Sequence, residues 1–444
     1  MSIGATDSDK FDHFRGDATG LLIPAHEEAF RADGAAFLTE AFRAFGSLPA
    51  GNAVTRITRL ELCPGGSTGA KLFVSVEYER PDPALHTELF VKFSRDFDDP
   101  RRDWQRTEMK SEAPFMALSR LPGFPIRVPV AYFADYHDAT GTGLVITEQV
   151  PYGRDGIEPH RRKCLDHLTM RDSLPYYRAV VTALARLAGA HKSGRLAPDI
   201  DTQFPIDPVE ASADPIRYAP DELDAELAHG ADFARRCPRL VPEELRSDDF
   251  IAQMAQDAWR IRDHEAEIQR FLIGNPDMIA LCHWNAHIDN CFFWQDEAAE
   301  GAGQLQCGLI DWGRVGQITL GSALWGALSA AHHDIWDHHL SELLAVFVDE
   351  YAAQGGPRLT VAALEQHLTL HIAAMGVARV LAFPEIIAFR LPECADAAGP
   401  YDPMFEPVAV DAARNCRQVY VNMLKYWRAR DFGKAVDRII IAPN

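Results

Sequence analysis

The sequence lacks paired cysteines and long apolar runs. Its eight cysteines are scattered and form no CxxC pair, so free thiols in a reducing compartment are expected rather than disulfides or a cysteine zinc site. No run approaches the ~18 apolar residues of a membrane helix, and the N-terminus has no signal-peptide pattern. We therefore expect a cytoplasmic protein with no membrane partner.

Basic residues are also few. Lys and Arg number 44 against 64 Asp and Glu, which gives a net charge of −20. Because nucleic-acid binding requires clustered basic side chains, we expect no nucleic-acid partner. The negative charge is compatible with a cationic substrate, although a solubilising role explains it better. The chain of 444 residues is long enough for two or three domains, and its oligomeric state is not indicated.

The first 150 residues carry the pattern of a small antiparallel sheet. An amphipathic stretch at 26–45 predicts a helix, a glycine-rich turn occupies 63–69, and a polar segment at 104–121 predicts a second helix. We predict a helical extension at 1–50 and a sheet domain at 51–150. The strand-like runs are Thr55–Leu62, Ala70–Tyr78, Thr87–Phe93, Val128–Tyr132 and Gly143–Gln149.

Beyond residue 150 the pattern is mainly helical, which predicts a larger domain at 151–444. Apolar residues from Tyr177 to His191 recur at helical spacing, and Gly194 follows them as a C-cap. The segment 198–249 is rich in Pro and Asp and predicts an irregular or short-helical insertion. Three later segments have the helical period: 340–354, 361–374 and 408–430.

The most informative segment is LCHWNAHIDNCFF at 281–293, which is followed by LIDWG at 309–313. A His…Asn loop, a short hairpin and an apolar strand that ends in Asp is the layout in which kinases hold magnesium and nucleotide phosphates. Asn290 and Asp311 offer only oxygen ligands, which suits Mg²⁺.

The loop resembles the catalytic loop of the aminoglycoside phosphotransferase and choline kinase superfamily, whose usual form is HGDxHxxN. His283, His287 and Asn290 match that pattern, and Asp311, followed by Trp, matches the second metal ligand. The resemblance covers residues 55–360 and is closest to the ecdysteroid-kinase-like branch and its bacterial relatives. It implies an α+β, two-lobed protein-kinase-like fold, with a small antiparallel-sheet N-lobe and a larger, mainly helical C-lobe that has a helical insertion.

The resemblance also implies a nucleotide site in the sheet domain. Lys92, on the third strand, would meet the α- and β-phosphates. Its partner would be Glu112, with Glu108 one turn upstream as the alternative. The glycine turn would cover the phosphates, and the strand that leads into the hinge would meet the adenine. The residues implied there are Gly66, Ser67, Thr68, Glu148 and Val150.

One position departs from the superfamily: Asn285 stands where an Asp normally accepts or orients the proton of the substrate hydroxyl. An amide has no group that titrates near neutrality, so it cannot act as a general base. Three explanations stay open: a deliberate Asp→Asn change, a natural pseudoenzyme, or another base such as Asp289 or His287.

The implied function is transfer of the γ-phosphoryl group of ATP, with GTP as the alternative, to a hydroxyl of a small molecule. The acceptor would be an antibiotic, a steroid-like compound or another metabolite alcohol. Mg²⁺ would be held by Asn290 and Asp311, Asn285 marks the base position, and His287 would contact the transferring phosphate. A nucleotide-binding pseudokinase with a regulatory role is the alternative. A protein kinase is disfavoured because no Ala-Pro-Glu-like activation segment follows Asp311.

Two histidine patterns suggest a metal more weakly. His283 and His287 have the i, i+4 spacing of a zinc helix but lack the Glu of HExxH. His283 is instead expected to be structural, hydrogen-bonding near the loop. The histidine-rich run at 332–339 is explained as well by a solvated helix face with His–Asp pairs.

Overall fold

The computed structural model describes residues 12–64, 69–296 and 303–441. Contacts group the chain into two compact units that are discontinuous in sequence. Unit 1 comprises Met1–Ile157, Leu196–Gln203 and Gly308–Val315, and unit 2 comprises Glu158–Arg195, Phe204–Cys307 and Gly316–Asn444. The domain boundaries at residues 50 and 150 remain predictions.

The strands are β1 His13–Arg15, β2 Leu22–Pro24, β3 Val54–Leu62, β4 Lys71–Tyr78, β5 Glu88–Phe93, β6 Ala131–His137, β7 Thr142–Glu148, β8 Ile279–Cys282, β9 Cys291–Asp296, β10 Gln304–Leu309 and β11 Gly316–Thr319. The helices are α1 Glu27–Ala44, α2 Arg102–Gln105, α3 Glu112–Leu118, α4 Asp166–Thr169, α5 Leu174–Lys192, α6 Ile200–Gln203, α7 Pro208–Ala211, α8 Pro220–Arg236, α9 Asp248–Asp263, α10 Glu265–Gly274, α11 Leu320–Leu328, α12 Leu340–Ala353, α13 Val361–Ala378, α14 Phe383–Arg390, α15 Asp411–Arg430 and α16 Phe432–Ile441.

Unit 1 is built on a five-stranded antiparallel sheet with the order β3-β4-β5-β7-β6. Side chains alternate between the two faces of such a sheet, so every second residue of β4 and β5 enters the same core. Leu72, Val74, Leu89 and Val91 lie in one buried cluster with α1. The opposite face of the same strands carries Lys92.

Helix α1 covers the apolar face of the sheet. The predicted helix is present, and its phenylalanines pack into the core: the ring of Phe30 lies 5.8 Å from that of Phe93 in an edge-to-face contact. Gly34 interrupts the helix with φ 59° and ψ −146°, a backbone conformation that glycine adopts at little cost. The N-terminal segment therefore forms part of the core of unit 1.

Two predicted elements differ from the structure. The helix predicted at 104–121 is divided into α2 and α3, and Pro114 lies in the first turn of α3, where a missing N–H costs nothing. The strand predicted at Val128–Tyr132 begins later, at Ala131, and continues to His137. Pro129 cannot donate a ladder hydrogen bond, so the strand starts beyond it.

Unit 2 is mainly helical, with α5 packed closely against α12. A Cβ on Gly189 would lie only 2.6 Å from the carbonyl oxygen of Tyr351, so the helices approach at a position where only glycine fits. Arg186 of α5 also pairs with Glu350 of α12 at 2.9 Å. The helices predicted at 340–354, 361–374 and 408–430 are present as α12, α13 and α15.

The insertion is more regular than predicted. Its 17-residue helix α8 has Pro220 at its first position, acidic residues in its first turn, and Arg235 and Arg236 in its last. Proline fits the start of a helix because the first N–H groups have no partner within the helix. Of the two forms predicted for the insertion, the helical one is present at 220–236, and the irregular one does not hold there because the prolines lie at the boundaries of the helix.

Short strands in unit 2 hold the segment that contains the His…Asn motif. Strand β8 pairs antiparallel with β11, with Cys282 opposite Gly316. The motif follows β8 and leads into β9, which pairs with β10. The first four residues of β10 belong to unit 2 and its last two to unit 1.

No single helix among the described residues is both long and apolar enough to span a bilayer, although α13 and the segment Val380–Arg390, bent by 48°, pass that test as a pair.

The predicted fold class is confirmed: one unit is a small antiparallel sheet with helices, and the other is larger and mainly helical.

Helix α11 approaches the motif loop through Gly326. A Cβ there would lie 1.8 Å from the carbonyl oxygen of Trp284. We expect Gly326→Ala to lower the free energy of unfolding by about 1–3 kcal/mol, because the loop must move to relieve the overlap. Urea denaturation measures the change.

Gly274→Ala is the matched control, since a Cβ at Gly274 would meet nothing within 4 Å. It should leave stability unchanged or raise it by up to about 1 kcal/mol. Equal effects of the two substitutions would contradict the close approach of α11.

Candidate active site

The centre of unit 1 is a buried lysine between two carboxylates. Lys92 lies on β5, and its Nζ lies 2.8 Å from Glu112 Oε2 and 2.6 Å from Asp311 Oδ1. The side chains of Lys92 and Glu112 are each 3% exposed, whereas that of Asp311 is 40% exposed. The structure thus pairs Lys92 with Glu112, the first choice from the sequence, and brings Asp311 to the same ammonium group.

Burial and ion pairing shift the pKa values of Lys92 and Glu112 in opposite directions. Burial alone lowers the pKa of Lys92, but the charges and hydrogen bonds of Asp311 and Glu112 outweigh it and raise the pKa on balance. Burial raises the pKa of Glu112, and Lys92 opposes that shift. Lys92 is therefore a cation at neutral pH, and removing its charge would leave Glu112 buried without its partner.

Glu108, the alternative partner, has another role. Its backbone carbonyl accepts a hydrogen bond from Arg314 N at 2.9 Å. Burial raises the pKa of its carboxyl group. Its carbonyl thus ties the turn before α3 to the segment after Asp311.

That segment is also held by aromatic stacking. The ring of Trp312 lies 4.0 Å from that of Phe115 on α3, and Trp312 Nε1 donates to Leu309 O at 3.1 Å. Asp311 itself has φ 61°, a left-handed conformation that is uncommon outside glycine. In this turn the carboxylate of Asp311 contacts Lys92, while the side chain of Trp312 packs against α3. The sequence contained both aromatic residues, but only the fold shows that they stack.

Strand β7, which is predicted to lead into the hinge, carries Glu148, whose contacts lie within unit 1. Glu148 pairs across the sheet with Leu89, and its carboxylate lies 2.7 Å from His86 Nε2. Although burial alone would raise the pKa of Glu148, the pair with His86 lowers it on balance. The Glu148 side chain is thus engaged within unit 1, and Val150 follows the end of β7. The predicted phosphate-loop residues Gly66, Ser67 and Thr68 lie outside the described residues.

In unit 2, the motif loop is held by its own hydrogen bonds. His283 is fully buried, and its Nδ1 accepts from Asn285 N at 3.0 Å. Asn290 Nδ2 donates to Asn285 O at 2.8 Å, and Asn290 N donates to His287 O at 2.8 Å. The backbone of Asn285 is therefore held by hydrogen bonds to His283 and Asn290. Its half-buried side chain takes no part in these bonds.

The two alternative bases are less suited to that task. Burial, with smaller effects of Lys163 and His283, lowers the pKa of His287 well below its usual range. A base with so low a pKa accepts a proton poorly near neutrality. Asp289 Oδ2 lies 3.4 Å from Lys163 Nζ, and its carbonyl accepts from His160 at 2.8 Å. No sequence pattern indicated that Lys163 lies beside this loop.

The histidine-rich run makes separate local contacts. His338 and His339 lie 3.7 and 3.6 Å from the carboxylate of Asp334. His333 Nδ1 lies 2.7 Å from Asn422 Oδ1 on α15. A set of three ligand-type side chains does occur elsewhere in the described chain, at Glu226, His229 and Glu385.

Each of the two predicted metal positions, Asn290 in unit 2 and Asp311 in unit 1, offers an oxygen atom as a donor. Asn290 uses its amide nitrogen toward Asn285, which leaves the amide oxygen as a metal donor. The partly exposed Asp311 supplies a carboxylate. Hard oxygen donors without sulfur or imidazole are the set that Mg²⁺ prefers.

No family model matches the chain, and no curated protein matches it. A choline kinase from Cryptosporidium parvum covers 84% of this chain and 91% of its own, at 11% identity and a TM-score of 0.41. A choline/ethanolamine kinase family protein from Mesorhizobium loti covers 91% and 99%, at 14% identity and a TM-score of 0.38. An AMP-bound spectinomycin phosphotransferase covers 86% and 98%, at 12% identity and a TM-score of 0.32.

These matches, at 11–14% identity and TM-scores of 0.32–0.41, are to proteins named as a choline kinase, a choline/ethanolamine kinase family protein and a spectinomycin phosphotransferase. The ecdysteroid-kinase-like branch remains a prediction.

Removing the buried cation should destabilise unit 1. We expect Lys92→Met to lower the free energy of unfolding by about 3 kcal/mol or more at pH 8, because it leaves Glu112 buried without its partner. Without Lys92, burial raises the pKa of Glu112 further above its unfolded value. The folded variant then binds the proton more tightly, so its stability deficit should shrink as the pH falls towards 5. Urea titrations at both pH values measure this.

Lys110→Met is the matched control, because Lys110 pairs with Asp138 at 2.7 Å and both side chains are more than half exposed. Lys110→Met should lower the free energy of unfolding by less than about 1 kcal/mol. The double variant Lys92→Met/Glu112→Leu should recover much of the lost stability. The buried ion pair would be contradicted if Lys92→Met lowered the free energy of unfolding no more than Lys110→Met does, or if the double variant recovered none of the lost stability.

Proposed function

We propose that the protein transfers the γ-phosphoryl group of ATP to a hydroxyl of a small molecule, with Mg²⁺. The observation that carries this proposal is the Lys92–Glu112–Asp311 cluster, in which a buried cation is held by one buried carboxylate and one partly exposed carboxylate. A cation held in one place is suited to positioning nucleotide phosphates, which transfer chiefly through positioning and electrostatic stabilisation.

Each residue would have a distinct task. Glu112 holds Lys92 in place, Lys92 would contact the phosphates, and Asp311 and Asn290 would be the Mg²⁺ ligands. Bound Mg²⁺ would neutralise charge on the phosphate oxygens. His287, being buried and neutral, would act at most as a hydrogen-bonding group for the phosphate. GTP is the alternative nucleotide.

The base position is where this chain differs from an ordinary kinase. A carboxylate there would accept or orient the acceptor's proton, whereas the Asn285 amide can only orient it through hydrogen bonds. A nucleotide-binding pseudokinase is therefore the second candidate function, and Asn285 is the observation that favours it. The two candidates share nucleotide binding and differ in turnover.

The acceptor proposed is a small molecule. The segment after Asp311 is short: β11 begins at Gly316 and α11 at Leu320. It leaves no room for the long activation segment with which protein kinases bind peptides. Specificity would come from 198–249 and the later helices of unit 2.

Nucleotide binding is the first test. Saturating ATP with Mg²⁺ should raise the melting temperature, since a ligand at 100 times its Kd adds about 2.7 kcal/mol to the stability of the folded state. Asp311→Ala should abolish the magnesium-dependent part of the affinity measured by calorimetry. Asp138→Ala, which removes an exposed carboxylate in the same unit, should leave the affinity unchanged. Absence of nucleotide binding with and without magnesium would refute the proposal.

The second test restores the carboxylate. Asn285→Asp should raise kcat by about 10²-fold or more, because it supplies a general base, and should change nucleotide affinity little. ATP hydrolysis gives the first readout, and an acceptor found by screening hydroxylated metabolites and antibiotics for ADP release gives the full one.

Asn275→Asp makes the same chemical change at an exposed helix cap and should have no effect on kcat. Equal, substantial activity in the original protein and in Asn285→Asp would show that position 285 is not the base site. Nucleotide binding without turnover in both forms would favour the pseudokinase.

A further inference from the structure

A second lysine lies directly opposite Lys92. Strand β4 begins at Lys71, and the register of β4 with β5 pairs Lys71 with Lys92. Residues that are directly opposite in an antiparallel pair project from the same face, with Cβ atoms about 4.5–5.5 Å apart. The next residues of both strands, Leu72 and Val91, are fully buried on the other face. Lys71 therefore shares the face that carries the Lys92 cluster.

This arrangement is unfavourable without a compensating charge. Like charges directly opposite one another destabilise a sheet. Burial lowers the pKa of Lys71, the nearby charge of Lys92 lowers it further, and Asp311 and Glu112 act in the opposite direction. Asp311 therefore acts on both lysines: its carboxylate lies 2.6 Å from Lys92 Nζ, and its charge raises the pKa of Lys71.

The location of Lys71 in the chain also relates it to the phosphates. The residue begins the strand that leaves the glycine turn, and Cys63, at the other end of that turn, donates its N–H to Lys71 O at 2.8 Å. A Cβ on Gly69 would lie 2.0 Å from the carbonyl oxygen of Ser94, so Gly69 lies tightly packed against the residue that follows β5. The backbone of Lys71 is thus fixed at the base of the turn.

Binding of Mg²⁺ by Asp311 would remove the carboxylate that Lys71 and Lys92 share. Glu112 would remain beside Lys92, and a polyphosphate is the ligand that supplies several further negative charges to two neighbouring ammonium groups in a small volume. A monophosphate or a nucleoside supplies too few to reach both lysines.

We propose that Lys71 is a second phosphate-binding lysine, which contacts the nucleotide beyond its α-phosphate and favours di- and triphosphates over monophosphates. This inference rests on the proposed function and goes beyond it in assigning Lys71. The ammonium group acts by hydrogen bonds and charge on phosphate oxygens, and no covalent step is involved.

Calorimetry with ATP, ADP and AMP in the presence of Mg²⁺ tests the assignment. Lys71→Met keeps the length and apolar stem of the side chain and removes the charge. It should weaken ATP and ADP binding by about 10–100-fold, the range for a charge-assisted hydrogen bond, and change AMP binding less than about twofold. Lys71→Arg should restore most of the ATP and ADP affinity, and Lys110→Met should leave all three affinities unchanged.

Stability separates phosphate binding from a structural role. Lys71→Met should keep or raise the melting temperature of the free protein, because it removes a like-charge pair. Equal weakening of AMP, ADP and ATP, or unchanged ATP affinity, would refute the Lys71 assignment while leaving the proposed function in place. If the unsubstituted protein binds none of the three nucleotides, the proposed function fails and this inference fails with it.

Discussion

The structure of unit 1 depends on one constraint, the burial of the Lys92 ammonium group between Glu112 and Asp311. A buried charge is tolerated only where partners are held at hydrogen-bonding distance. Strand β5, helix α3 and the segment that follows β10 must therefore all be correctly placed. The stacking of Trp312 on Phe115 and the hydrogen bond from Arg314 to Glu108 fix the last two elements together. The cluster is thus both a structural requirement of the fold and the feature that carries its proposed chemistry.

The motif loop of unit 2 follows a different principle. Its residues are held by short-range hydrogen bonds, from Asn285 N to His283 and from the Asn290 side chain to Asn285 O. These bonds use the backbone of position 285 and not its side chain, so a change of Asp to Asn there leaves the loop's own framework intact. Under the proposed function, phosphate positioning and proton acceptance would therefore be carried by separate groups. This separation would allow the chain to keep the proposed phosphate-positioning cluster while it lacks a carboxylate at position 285.

Much of the local structure followed from sequence pattern. Four of the five sheet strands were predicted to within one residue, because alternation of apolar side chains is a local property. Failures occurred at proline-rich positions. Strand β6 begins only beyond Pro129, Pro114 lies in the first turn of α3 rather than interrupting it, and Pro220 begins the long helix of the insertion. In each case proline is compatible with both a boundary and a break, and only long-range packing decides between them.

The sequence by itself determined the order of chemical groups: a lysine on the third strand, a glutamate after it, the His…Asn loop and the final Asp. It also determined that position 285 carries no carboxylate. The tertiary structure decided that Glu112 rather than Glu108 reaches Lys92, and that Lys71 stands opposite Lys92 in the sheet. Helix phase and strand register depend on how the elements pack together. A one-residue shift in either would move these side chains to another face, which is why spacing along the chain could not determine them.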